Sequence, residues 1–314
     1  MSNKLSAKLF DLKIDFVRLR YLAFTLSALM ILVSIGSLIT QGLNFGLDFT
    51  GGTLVELRFE LAPDIEEVRS YLENAGYDQF VVQNFGSTHD LLIRLNQGFS
   101  PEVGEQVSAL LDQLSSEEVK LIRAEFVGAQ VGDELRDQGG LGLLIALLGI
   151  AVYVAFRFQF KFAIGSLAAL FHVMIVLLGY FSLFQIEFNL TELGAVLAVI
   201  GYSVNDTIVV YDRIRENFRL VREGTIADLI NLSINQTLVR TVITSVTTLL
   251  VVVALFIWGG DMIHNFSLAL MVGIVVGTYS SIFVAGVLLL NMKATREELA
   301  IPVKEGVLED DGRP

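Results

Sequence analysis

The run Gly201-Tyr-Ser-Val-Asn-Asp-Thr-Ile-Val-Val-Tyr211 places a carboxyl group, Asp206, well inside an apolar segment. An ionisable side chain within a bilayer costs about 3 kcal/mol or more, so it usually faces the bundle interior and works there. The segment around it, residues 189–211, is long enough to cross about 30 Å of hydrocarbon, which takes roughly 20 helical residues. Five more such segments lie at about 21–40, 139–157, 162–184, 237–258 and 265–290. The one at 139–157 is the least apolar, because Gly139, Gly140, Gly142 and Gly149 thin it. With 53% hydrophobic residues and mean hydropathy +0.62, the chain reads as an α-helical polytopic membrane protein with six transmembrane helices.

An even number of spans puts both termini on one side, and basic residues say which. Lys4, Lys8, Lys13, Arg18 and Arg20 precede the first span, and Arg157 and Lys161 sit between the second and third. Arg213, Arg215, Arg219 and Arg222 follow the fourth, whereas the short opposite loops 185–188 and 259–264 carry none. The positive-inside rule therefore places the tails 1–20 and 291–314 in the cytoplasm. The first span has no convincing small-residue cleavage site before Gln41, so it is expected to stay as a helix.

The long loop 41–138 then lies outside. Its six basic and eighteen acidic residues leave a formal charge of −12, equal to that of the whole chain. Such a surface repels nucleic acid and anionic lipid; it serves solubility or, alternatively, a cationic partner. The absence of cysteine excludes disulfides, thiol catalysis and Cys-ligated metals. His89 has no His or Cys near it in sequence, so no metal site is expected.

Within the loop, Thr53 to Glu60 alternates apolar and polar residues, as a half-buried strand does. Pro63-Asp64 opens a helix over Ile65–Ala75 that Gly76 ends. Strands are expected at 78–85 and 89–95 around Gly86-Ser87-Thr88, then a helix over about 102–114 and a strand from Val119 to Val127. The order β-α-β-β-α-β is that of a small ferredoxin-like α+β domain. That fold is reused widely and names no function. Ahead of it, Leu47-Asp-Phe-Thr-Gly-Gly52 reads either as a rigid turn or as a hinge over 47–52 that carries movement to the domain. Gly51 and Gly52 permit unusual backbone angles, and Asp48 and Thr50 can bond nearby amides.

In the bundle of spans two to six (139–290), Gly194, Ala198, Gly201 and Asn205 fall on one helical stripe suited to close helix packing. Asp206 borders it. On the fifth span Arg240, Thr244, Thr247 and Val251 share a face. Those hydroxyls either relay protons or bond back to their own helix. Asp206 and Arg240 lie at similar depth, at 1.5 Å of rise per residue, and Arg240 either pairs with Asp206 or snorkels to the headgroups. Desolvation favours a neutral carboxyl group and a nearby guanidinium favours the ionised one. Helix movement that brings Arg240 close and withdraws it would make Asp206 release and take up a proton in step. Asn205, Thr207, Thr244, mid-span His172 and Glu192, some fourteen residues before Asp206, are supporting candidates. Gly273-Ile-Val-Val-Gly277 is a weak helix-contact signal.

A first helix followed by Leu-Asp-Phe-Thr-Gly-Gly, one compact outer domain, the segment Gly201 to Asn217 and the run Arg240-Thr-Val-Ile-Thr-Ser245 together resemble the SecD/SecF family of bacterial protein-export membrane proteins. The resemblance covers nearly the entire chain, and only 297–314 is uninformative. It implies one six-helix half of a machine similar to the resistance-nodulation-division transporters, in the inner membrane, with loop 41–138 in the periplasm. It further implies work beside SecD at the SecYEG translocon with its associated YajC and YidC, drawing unfolded preproteins across on the proton-motive force. Asp206 matches the family's proton-coupling aspartate and Arg240 its fifth-helix arginine. No cofactor, enzyme activity or nucleic-acid partner is expected, and no Gly-x-x-x-x-Gly-Lys-Ser/Thr loop is present to cradle a nucleotide. A small-molecule exporter would need larger, duplicated outer domains, and a passive assembly factor would not need Asp206.

Overall fold

The computed structural model describes residues 14–77, 80–95, 102–113, 119–158, 160–221, 224–260 and 263–292; most of the two charged tails lies outside them. The first span is helix α1 (Arg20–Thr40), and a single helical turn, α2 (Leu47–Thr50), leads into the α+β domain. There, strands β1 (Gly52–Arg58), β2 (Phe80–Phe85), β3 (Ser87–Leu95) and β4 (Lys120–Val127) combine with helices α3 (Ile65–Asn74) and α4 (Glu102–Asp112). All pairings are antiparallel and the sheet order is β2-β3-β1-β4. This is the expected ferredoxin-like topology, with boundaries shifted by a residue or two.

The alternation in β1 explains its two faces. Val55 and Leu57 are buried with Leu91, Ile93 and Leu95 of β3, beneath Val68 and Leu72 of α3 and Val103, Val107 and Leu111 of α4. On the opposite face Leu54 and Leu92 pack on Leu47 of α2. Helix α3 starts where the Asp64 side chain accepts the Glu66 amide at 2.9 Å, an N-cap contributing about 1 kcal/mol. At the end of the two central strands Arg58 donates twice to Asp90, at 2.6 and 3.0 Å, and Ser87 donates to the same carboxylate. These bonds hold the Asp90 carboxyl below its ordinary pKa.

The remaining spans are α5 (Ala129–Arg157), α6 (Phe160–Leu183), α7 (Leu190–Leu220), α8 (Ile226–Trp258) and a sixth made of α9 (His264–Tyr279), a π-helical segment (Ser280–Ala285) and α10 (Gly286–Asn291). By length and composition six helices can cross a membrane. The most apolar windows of α6 and of the sixth span are 61% buried, against 6% for α5 and 17% for α8. The bundle therefore centres on α6, α7 and the sixth span. Its core joins Phe162, Leu170, Val173 and Leu177 of α6 to Val196, Val199, Ile200 and Ile214 of α7. Helix α1 docks through small residues: Ser34 meets Gly179, where a Cβ would overlap it, and Ser37 bonds Ser182 at 2.8 Å.

Three helices outrun their apolar windows. Helix α5 begins at Ala129 rather than near 139 because its first turns press on α2, with Gly132 against the backbone of Phe49 and Gly51. The stretch 212–236, read from sequence as a loop, is helical up to Leu220 and again from Ile226. The two extensions stabilise each other: Asn217 donates to Ser233 and Gln236, both at 2.8 Å, while Phe218, Leu229, Ile230 and Ile234 are buried. Asn231 and Asn235 bind the backbone of residues 14–16 beside them.

Candidate functional site

Helix α7 turns a buried face of Ala195, Val196, Val199, Ile200, Ser203, Asp206, Thr207 and Val210 to the bundle. Asp206 is 2% exposed, and its Oδ2 has no hydrogen-bond partner among the described residues. The Ser203 hydroxyl one turn earlier and the Thr241 hydroxyl of α8 are buried and equally unpaired. Burial against protein agrees with the sequence. The stripe expected to pack beside it does not: Gly194, Ala198, Gly201 and Asn205 are exposed, and a Cβ on Gly194 or Gly201 would meet nothing within 4 Å. Helices pack by whole faces, and the larger face beside the stripe is the one this chain buries.

Arg240 is exposed as well, and among the described residues it forms no ion pair. It lines an open cleft of about 410 Å³ with Asp212, Arg213, Glu216 and Gln236. No hydrogen bond or ion pair joins it to Asp206. The hydroxyls that share the Arg240 face bond their own helix: Thr244 to the Arg240 and Thr241 carbonyls, Thr247 to Ile243 and Thr244. Of the two readings left open for that face, the back-bonded one describes this conformation.

A seam of hydroxyls lies between α7, α8 and the sixth span, on the face of α7 where Ser203 and Thr207 flank Asp206. Thr207 shares a 3.0 Å bond with Ser281, which donates to the Ser203 carbonyl. Ser245 of α8 bonds Thr278 at 2.7 Å and accepts from Tyr202. Ser280 donates to the Ala169 carbonyl of α6, and Tyr211 to that of Ala285. These bonds run to neighbouring helices where the sixth span adopts its π-helical turn, a distortion frequent at functional sites. Gly273 and Gly277 bring that span against Val199 and Ser203, so the small-residue signal there marks a real contact. Ser203, Ser245, Thr278, Ser280 and Ser281 were not singled out above. Four hydroxyls in a row, Thr278 to Ser281, were the available signal in an apolar span.

Glu192 lies apart from the seam, whereas His172 packs beside Tyr279 of the sixth span. The Glu192 carboxylate accepts the Asn189 amide at 2.9 Å in the first turn of α7, about 21 Å along the helix from Asp206. His172 is buried with both ring nitrogens unpaired among the described residues, 5.9 Å from the Tyr279 ring. Tyr279 in turn donates to the Ala23 carbonyl of α1 at 2.6 Å. Residues 47–52, where a hinge was one expectation, form a bonded turn: the Thr50 hydroxyl and amide both return to the Gly46 carbonyl, and Leu47 and Phe49 are buried. Gly51 and Gly52 adopt φ of 66° and 128°, which side-chain-bearing residues avoid.

A buried carboxylate needs hydrogen-bond donors or a cation, because an unpaired buried charge is costly. The sequence of the whole chain supplies the context. A family profile described as "Protein export membrane protein SecD/SecF, C-terminal" matches residues 106–295, and the SecD/SecF GG motif matches 36–60. The chain belongs to the SecD/SecF family. It is 49% identical over 298 residues to the protein translocase subunit SecF of Pseudomonas aeruginosa, covering 95% of this chain and 97% of that one. It is 43% identical over 289 residues to SecF of Escherichia coli O157:H7, covering 91% and 90%. A crystal structure of SecDF from Thermus thermophilus, titled a translocon-associated membrane protein, matches with TM-score 0.83 and 37% identity over 90% of this chain. This chain spans only 39% of that one. A SecDF structure titled as a super-membrane-facing form matches over the same share at 38% identity but with TM-score 0.68. At equal coverage and identity, that gap is a difference of shape between the two solved forms.

Proposed function

We propose that this chain is a proton-coupled accessory subunit of the Sec machinery, acting with a SecD-type partner to pull or release preproteins on the periplasmic side of the inner membrane. The observation that carries it is Asp206: a buried carboxyl group with one oxygen unpaired among the described residues, on the face of α7 that meets the hydroxyl-lined seam of a membrane bundle. Arg240 and the Gly194–Asn205 stripe lie on open faces that a second half would cover. The size of the SecDF relative supports such a half, because 61% of its chain has no counterpart here. Both tails face the cytoplasm on this reading, and the −12 domain faces the periplasm. Energy comes from protons crossing the membrane, with no bound cofactor. SecYEG, YajC, YidC and the emerging preprotein are the further partners that the family resemblance supplies.

The test is Asp206→Asn in energised vesicles that contain the translocon and the partner subunit. Acceleration of preprotein release by the proton gradient should disappear while the subunit still inserts and still co-purifies with its partner. Unchanged acceleration would remove the coupling role and leave a passive assembly factor as the better description.

A further inference from the structure

The turn at Leu47–Gly52 sits where the α+β domain meets the membrane bundle, and its bonds are unevenly shared. The Asp48 carboxylate accepts the amide of Leu190 at 3.0 Å, the first residue of the Asp206 helix. Gly46 donates to the Phe188 carbonyl at 3.0 Å, and Phe188 donates back to Asn44 at 2.9 Å. The Phe49 ring stacks on Phe188, with centroids 6.1 Å apart. From the sheet, Arg94 of β3 reaches the Phe45 carbonyl at 3.2 Å and Glu187 at 3.3 Å. The approach from α1 is bonded the same way, to the α6–α7 corner: Ser182 donates to the Gly42 carbonyl and Asn44 to that of Gln185. On the other side Gly52 lies so close to the Leu95 carbonyl that a Cβ would overlap it, which locks the turn to the sheet.

We propose that Asp48 is a positioning residue that fixes the α+β domain to the N-terminal end of α7. A shift or rotation of the Asp206 helix then reaches the domain as rigid-body movement, over about 24 Å of helix between Asp206 and Leu190. The carboxylate suits the task. It gives a charge-assisted bond to one of the amides that a helix start leaves without an internal partner, and its charge complements that end of the helix. The flexible joints lie elsewhere, because residues 47–52 are bonded on both sides. The link to activity rests on the proton-coupled reading above; the clamp itself does not.

The chain contains no cysteine, so cysteines introduced at Thr88 and Leu220, both exposed, accept spin labels without background. With the full chain and its partner subunit in vesicles, Asp48→Ala should broaden the distance distribution between those labels about twofold. It should also speed hydrogen exchange at Leu190 by about tenfold to a hundredfold, the range for losing one hydrogen bond to a charged group. Asp48→Asn keeps an acceptor oxygen and should restore both readouts to within a factor of about three. Leu190→Pro removes the donor at a helix position where proline is well tolerated, and should broaden the distribution with Asp48 intact. An unchanged distribution in either the alanine or the proline variant overturns the proposal. Survival of gradient-driven release in Asp206→Asn would instead overturn the proton-coupled reading, and the distance and exchange measurements would still judge the clamp.

Discussion

Asp206 and Glu192 are both carboxyl groups buried on α7, and their surroundings separate them. Glu192 is occupied at the helix start by the Asn189 amide, whereas Asp206 has an oxygen with no partner among the described residues. Glu192→Gln keeps an acceptor for that amide and loses only the charge, so it should leave gradient-driven release intact and cost about 0.3–1 kcal/mol of helix-end stability, read from thermal unfolding of the purified subunit. Asp90 makes a pH-dependent contribution in the α+β domain. Arg58 and Ser87 hold its carboxyl below the ordinary range, so the folded domain binds fewer protons there than the unfolded chain. Its stabilisation is complete near neutral pH and fades as the pH falls below about 4, toward the depressed folded value. Asp90→Asn should flatten that acid limb when domain unfolding is followed against pH.

Helix faces decide more than helix identities. Sequence periodicity found the stripe Gly194, Ala198, Gly201, Asn205 but not its neighbour, because small residues mark close approach without naming the chain that approaches. Burial shows the stripe open and Gly273 and Gly277 occupied. Gly201→Phe should leave the subunit folded and remove the SecD-type partner from co-purification, whereas Gly273→Leu should destabilise the subunit itself. The second change forces a side chain into Val199, an overpacking that costs about 1–3 kcal/mol. Chemical denaturation in detergent and partner recovery together distinguish the two. The helical extensions of α7 and α8 were illegible for a related reason: their apolar residues are too sparse to signal a span, and they are stabilised by each other through Asn217, Ser233 and Gln236.

The chain as a whole is an unfinished surface. Helix α5 and most of α8 are exposed, and Arg240 stands open beside Asp212 and Glu216. In a bilayer, lipid can cover Leu144 or Leu148, but an arginine and an asparagine within a span call for protein or water. The subunit reconstituted alone should therefore show no gradient-driven step, and adding the SecD-type partner should restore it in the same vesicles. Composition and periodicity were sufficient by themselves for six spans, the β-α-β-β-α-β domain and the burial of Asp206, and the resemblance of a few motifs pointed to a protein-export family. Each of these depends on local pattern: apolar length, alternation, turn residues and short motifs. Tertiary structure alone decided which face of α7 is covered, that Arg240 stands apart from Asp206, that hydroxyls from the sixth span line the seam, and that Asp48 bonds the Asp206 helix rather than its own neighbours. Those facts depend on residues up to 142 positions apart meeting in space, and no periodicity within one segment encodes its partner.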